Sequence, residues 1–262
     1  MENVHAGWRR KLMKYIADTV DFQLEEPTVV TLGKFDGRHR GHQKLLHTME
    51  ELKETLGYAT AIFTFSTAPL SLVTGEAATV ITTSEERRHN MEKMGIDYLV
   101  EYPFTDDVRK MDPSVFVKDI LVKRMRAKAM VVGPDCSFGY KGAGNVELLR
   151  SLSKELGFEL YVIQKEKDHR RDISSTYIRE ELSLGNVAKA NELLGEPYAI
   201  HGIVGHGNHI GGPRLGFPTA NIIPPANKRL PKFGVYVSRV LAQGKYYKGV
   251  TNIGRKPTIH GD

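Results

Sequence analysis

The chain has 262 residues, room for one large domain or two ordinary ones, with 40% hydrophobic and 26% charged residues, the balance of a globular protein. No run of about 18 apolar residues is present to span a membrane, and one cysteine, Cys136, excludes an intrachain disulfide and a cysteine-built zinc site. The net charge of +6 sits in scattered groups such as Arg87-Arg88 and Lys123-Arg124, which argues against nucleic acid and suits phosphorylated small substrates. Met1 to Arg10 lacks the apolar core of a signal peptide, so the expected compartment is the cytoplasm, with no membrane and no obligatory protein partner evident.

Residues 1–27 are amphipathic and polar, end at Pro27, and predict a lead-in strand or helix. Thr28-Val29-Val30-Thr31-Leu32 predicts a short buried strand ending in a glycine turn. Leu45, Leu46, Met49, Leu52 and Leu56 then recur on one helical face. Tyr58 to Phe65 reads as a second strand, and Ser84 to Met94 as a helix with Ser84 as N-cap and Gly95 as stop. Asp97 to Glu101 is a third strand. Asp112-Pro113 opens a helix through Phe116, Ile120 and Leu121 towards Met125. Ala129 to Val132 is a fourth strand, Asn145 to Leu156 a helix, Phe158 to Gln164 a fifth strand and Ser174 to Leu184 a helix. This alternation predicts an α/β domain with a parallel sheet covered on both faces, and ligands beyond the carboxyl ends of its strands. After Leu194-Gly195 the helical period is lost. Tyr198–Val204, Gly234–Leu241 and Lys245–Gly254 predict an all-β second module beginning near 185–197.

The chemistry concentrates in Gly33-Lys34-Phe35-Asp36-Gly37-Arg38-His39-Arg40-Gly41-His42, between the first strand and its helix. A helix N-terminus presents unpaired N–H groups and partial positive charge, which suit phosphate. Gly41 leaves the backbone open to it, and His39 and His42 can donate hydrogen bonds, a protonated ring adding charge where pyrophosphate leaves. The string resembles the G-x-F-D-G-x-H-x-G-H signature of the bacterial bifunctional riboflavin kinase/FAD synthetases, a branch of the H-x-G-H nucleotidylyltransferases. Lys34 replaces a common Asn, as a phosphate contact or as a solvated charge.

Two further segments extend the resemblance. Gly133-Pro134-Asp135-Cys136-Ser137-Phe138-Gly139 resembles the family's G-x-D-F-x-F-G loop at the nucleotide and flavin site, with Cys136 where Phe is usual; a thiol lacks an aromatic's area and stacking. Ser174-Ser175-Thr176-Tyr177-Ile178-Arg179 resembles the S-S-T-x-I-R motif, read from the residues as an N-cap cluster or a second phosphate cradle. Phe65-Ser66-Thr67-Ala68-Pro69 stands where relatives show a Pro-His-Pro-like turn, so no histidine contact carries over.

In the β-rich part, Pro218-Thr219-Ala220-Asn221 resembles the P-T-A-N motif of riboflavin kinases, which implies Mg²⁺ on Thr219 and Asn221 beside ATP phosphates. No Glu follows Glu196, so the kinase general base is missing from the visible module, and the expectation is a fragment or a truncated product without detectable kinase activity.

The resemblance implies a Rossmann-like nucleotidylyltransferase domain over 1–184 and an incomplete riboflavin kinase-like β-barrel over 185–262. The implied reaction is ATP + FMN → FAD + pyrophosphate, with riboflavin as the kinase substrate. The expected catalytic residues are His39, His42, Ser175, Thr176 and Arg179. The expected ATP and flavin residues are Gly33, Phe35, Asp36, Gly37, Gly41, Gly133, Asp135, Phe138, Gly139 and Ser174. Another H-x-G-H transferase and a non-catalytic flavin-binding regulator are the alternatives.

Overall fold

The computed structural model describes residues 12–66, 79–205 and 220–254. Six parallel strands make the central sheet: β1 (Lys14–Ala17), β2 (Thr28–Leu32), β3 (Ala59–Phe65), β4 (Tyr98–Tyr102), β5 (Ala127–Val132) and β6 (Glu159–Val162). Their order is β1-β4-β3-β2-β5-β6. The chain walks one way from β2 through β3 to β4 and the other way from β5 to β6, so the direction reverses between β2 and β5. Doubly wound sheets open a crevice at such a reversal.

Neighbouring residues of the central strands enter opposite cores. Val30, Met130 and Val132 pack in one cluster; Val29, Ala129 and Val131 pack in the other. The first is closed by a helix, α3, that opens over Pro113–Val115 and continues over Phe116–Arg124, and by α4 (Val146–Leu156). The second is closed by α1 (Arg40–Leu56), through Leu46 and Met49, and by α2 (Ser84–Lys93), through Met91. Each fully buried aliphatic side chain contributes about 1.5–3 kcal/mol, which explains why these strands are β-branched and apolar on both faces.

The structure refines several expectations. The lead-in segment is a strand, with β1 pairing β4 from Lys14↔Tyr98 to Ala17↔Glu101, so the sheet has a sixth strand at its edge. The cap of α2 is Thr83 rather than Ser84: its hydroxyl accepts from the Glu86 N–H while the Glu86 carboxylate accepts from the Thr83 N–H, a reciprocal box that Ser84 cannot make. The second part of α3 is π-helical, the Met125 N–H reaching back five residues to the Ile120 carbonyl at 2.9 Å.

After α5 (Ser175–Leu184) comes α6 (Val187–Leu194), which packs on it through Leu182, Ala190, Leu193 and Leu194 in a third cluster with Ile81 and Ile178. Two short strands, Lys167–Asp168 (β7) and Arg171–Asp172 (β8), pair antiparallel just before α5. Beyond it, β9 (Ile203–Gly205) pairs antiparallel with β10 (Asn221–Ile223), and β11 (Gly234–Ala242) with β12 (Lys245–Ile253). The β11–β12 turn puts Gln243 and Gly244 both at positive φ, 48° and 76°, the twist a two-residue hairpin requires.

Candidate active site

The turn after β2 is held by its own backbone and by the segment preceding α2. Phe35 is buried at φ +47°, a left-handed conformation unfavourable for an aromatic, so the surroundings impose it. Gly37 lies at φ +72°, and a Cβ there would stand 3.0 Å from two carbons of Ile81. Asp36 is the hub of this turn. Its Oδ1 accepts from the Ile81 N–H at 2.7 Å and the Thr82 N–H at 3.0 Å; its Oδ2 pairs with Arg179; its backbone carbonyl accepts from the Ser175 hydroxyl. The Gly37 N–H donates to Thr82 Oγ1 at 3.1 Å. Asp36 thus ties the signature turn to α5 rather than offering a vacant carboxylate.

His39 caps α1 and His42 lies in its first turn, with the two rings stacked at 3.8 Å between centroids and 19° between planes. Phe35 tilts against His42 at 4.9 Å. The hydrogen bonds assign the tautomers. Nδ1 of His42 is 2.9 Å from the Gly37 carbonyl, which can only accept, so Nδ1 carries the proton and Nε2 is bare. Nδ1 of His39 accepts from the His42 N–H at 3.3 Å, so a neutral His39 carries its proton on Nε2. Burial, and then the neighbouring His42, push the His39 pKa down to about 3. Burial lowers that of His42 as well, against the opposing pull of the Gly37 carbonyl and of Asp36. Before a ligand arrives both rings are therefore held neutral at neutral pH, because desolvation outweighs the nearby carboxylates; the charge expected of a protonated ring belongs to the step in which pyrophosphate leaves. A Cβ on Gly41 would lie 3.2 Å from His39 Nδ1, so glycine there leaves the imidazole its place.

The other predicted residues divide. Gly33 is exposed at the end of β2, its N–H bonded to the Phe63 carbonyl at 3.1 Å and its Cα beside the Phe35 ring. Ser174 caps α5, accepting from the Tyr177 N–H at 3.3 Å, and Thr176 is exposed on its first turn. Ser175 and Arg179 face the signature turn through Asp36. Gly133 follows β5, its carbonyl accepting from the Cys136 N–H at 3.2 Å. Asp135 is exposed and ion-paired with Lys165 at 2.9 Å. Phe138 turns into the core, 5.8 Å from the Phe116 ring, and its backbone pairs both ways with Gly144. Its buried ring therefore supports the loop from below. Gly139, at φ +72°, would place a Cβ 2.6 Å from the Pro113 backbone. Cys136 packs at the edge of the same core, and burial, with Asp135 beside it, raises its thiol pKa to about 12, so it is no nucleophile at neutral pH. Asn221 is exposed on β10; Thr219 and the residues 67–69 lie outside the described residues.

Sequence reasoning missed Thr82, whose amide and hydroxyl brace the turn, and Gln43, whose side-chain amide donates to the Arg38 and Leu194 carbonyls at 3.0 and 2.7 Å. The partners of Thr82 lie 45 and 46 residues away, and Leu194 lies 151 residues from Gln43, so no local pattern marks them.

A stacked imidazole pair on a helix N-terminus at the sheet's reversal point fits phosphate transfer, and comparison with known proteins agrees. The FAD synthetase family model matches residues 21–177, and the riboflavin kinase family model matches 194–262. The chain belongs to the FAD synthetase family. A protein of Escherichia coli (strain K12) named bifunctional riboflavin kinase/FMN adenylyltransferase is 37% identical over 239 residues, 90% of this chain and 76% of that protein. One of the same name from Bacillus subtilis (strain 168) is 35% identical over 237 residues, 89% of this chain and 73% of the relative. A crystal structure titled macrolide-efflux protein, from Streptococcus pneumoniae, superposes with a TM-score of 0.84 at 29% identity, covering 95% of this chain and 81% of that one. Efflux is that title's word; among the described residues no helix is long and apolar enough to cross a membrane. As a member of the family, the chain is an enzyme of FAD and FMN biosynthesis.

Proposed function

We propose that the crevice between β2 and β5 transfers the adenylyl group of ATP to FMN, and that the signature turn carries the chemistry. The supporting observation is the neutral, stacked His39–His42 pair at the start of α1. An oxygen of the FMN phosphate attacks the α-phosphorus in line; the bond to the pyrophosphate oxygen breaks and FAD forms. The protein positions the reactants and neutralises charge rather than forming a covalent bond of its own. The Nε2–H of His39 is a ready donor to a phosphate oxygen. His42 offers only a lone pair at Nε2 until it gains a proton. A triphosphate brings the negative charge that offsets the burial penalty, so the proton taken up by His42 lands on the nitrogen facing the leaving group. Ser174, Ser175 and Thr176 open α5, whose backbone amides suit a second phosphate. Arg179 reaches that phosphate by exchanging the Asp36 carboxylate for it.

The two motif-bearing segments belong to two units in this reading, 1–184 for adenylyl transfer and 185–262 for the kinase sequence. Mg²⁺ would accompany the ATP phosphates in adenylyl transfer, and the kinase sequence offers it Thr219 and Asn221 as well. Among the described residues no three His, Cys, Asp or Glu converge on a metal site, and exposed Asn221 supplies a neutral oxygen. Such a donor fits an ion ligated mainly by phosphate and water, with Thr219 beside it in sequence. That ion would neutralise phosphate charge. A cytoplasmic location completes the proposal, supported by the lone thiol Cys136.

The deciding experiment incubates the chain with FMN and ATP and separates the products. FAD and pyrophosphate in equal amounts support the assignment. A different adenylylated product, or flavin binding without turnover, contradicts it.

A further inference from the structure

Lys228 lies in the riboflavin kinase sequence, yet it is only 5% exposed and sits against the adenylyl-transfer half. Its ammonium donates to the Ile81 carbonyl at 2.7 Å and to Glu86 Oε2 at 2.6 Å, and lies 4.7 Å from the centre of the Tyr198 ring. The main chain on either side is fixed too: the Val80 N–H donates to the Asn227 carbonyl and the Arg229 N–H to the Val80 carbonyl, each at 2.7 Å.

The Ile81 carbonyl and the Thr82 N–H belong to one peptide group. Its oxygen takes the Lys228 ammonium; its N–H points the other way, to Asp36 Oδ1 at 3.0 Å. A cation on the oxygen polarises that N–H and fixes the plane of the peptide. Asp36 then holds Arg179 with one oxygen and Ser175 through its backbone carbonyl. Ammonium, peptide, carboxylate and guanidinium thus form one relay from the second part of the chain into the signature turn. Glu86 is a side branch. Burial would raise its pKa, but Lys228 and His201 hold it below the usual carboxylate range, with His201 Nδ1 2.8 Å from Oε1.

We infer that Lys228 is a positioning residue for adenylyl transfer, supplied by the kinase sequence and acting through the Ile81–Thr82 peptide on Asp36. The inference rests on the signature turn being the nucleotide site. It makes the two parts of the chain one catalytic unit for the first reaction.

The test compares Lys228→Met with Glu86→Gln in the full chain. Both weaken the buried ion pair, but only the first removes the cation from the Ile81 carbonyl. FAD formation is measured against ATP concentration, alongside thermal melting. The expected result is a loss of kcat/KM for ATP in Lys228→Met of roughly ten- to a hundredfold, the scale of a small misplacement at a reacting centre. Glu86→Gln should stay within about threefold of the parent although both melt earlier. Equal activity in the two variants, or losses that track melting temperature in both, overturns the inference. If Lys228→Met does not fold, Lys228→Gln is read against Glu86→Gln by the same criteria. A parent chain that makes no FAD refutes the functional assignment instead, so the two failures are distinct.

Discussion

Two loops leave neighbouring strands of the same sheet in the same direction and are built on opposite plans. The loop after β2 turns its polar groups inward: Asp36 and His39 are buried, their hydrogen bonds made within the site, and Phe35 is held in a left-handed conformation. The loop after β5 turns its apolar groups inward: Phe138 and Cys136 join the core, while Asp135 faces solvent with Lys165. Buried polar groups are expensive unless fully paired, so the first plan sacrifices stability for a preorganised site. The second is a packing solution that fixes the loop's shape.

Substitutions should separate the two plans. The largest effect is expected from His42→Ala, which should lower FAD formation by about 10²-fold or more, the loss of one preorganised donor, with an unchanged circular dichroism spectrum. In the second loop, Gly139→Ala should act on the fold, destabilising by about 2–3 kcal/mol in urea titration, because the new Cβ meets the Pro113 backbone at positive φ. A His42→Ala enzyme of normal activity, or a Gly139→Ala protein of normal stability, would break the contrast.

A smaller effect comes from pH. The folded His39 pKa is about 3, against an ordinary 6.5 when unfolded. Between those values the unfolded chain binds the extra proton, so the contribution is complete above pH 6.5 and is lost as pH falls towards 3. His39→Asn keeps a capping oxygen but cannot titrate. Its stability should fall less steeply below pH 6.5, by up to about 1.4 kcal/mol per pH unit, in parallel urea titrations. Identical slopes would contradict the buried neutral ring. The smallest change is expected from Cys136→Ala, at about 1 kcal/mol or less in the same measurement, since only one sulfur leaves the core edge.

The same contrast explains what was legible in the sequence. The β2–α1 unit could be read because an apolar run, glycines and a 3.6-residue period all agree; β2 and the buried face of Leu46 and Met49 lie where the pattern puts them. Capping chemistry was nearly legible, shifted by one residue at Thr83 because two hydroxyl residues stand side by side. β1 could have been helix or strand, since its residues are only half covered at the sheet edge and leave a weak pattern. The direction of Phe138 was hidden: the spacing of the Gly133–Gly139 loop does not tell whether its aromatic faces a ligand or Phe116. The hub at Asp36 was hidden for another reason, because its partners come from 45, 46, 139 and 143 residues away. Only folding brings those groups together.

The most direct test follows the imidazole nitrogens by NMR in ¹⁵N-histidine-labelled protein while ATP is added without FMN, so that nothing turns over. Before ATP, His42 should show a protonated Nδ1 and a bare Nε2, and His39 the reverse. With ATP, both should shift and His42 should gain a proton on Nε2, while His47, His89 and His169 stay unchanged. Saturation with ATP that leaves the His39 and His42 signals in place would contradict the account.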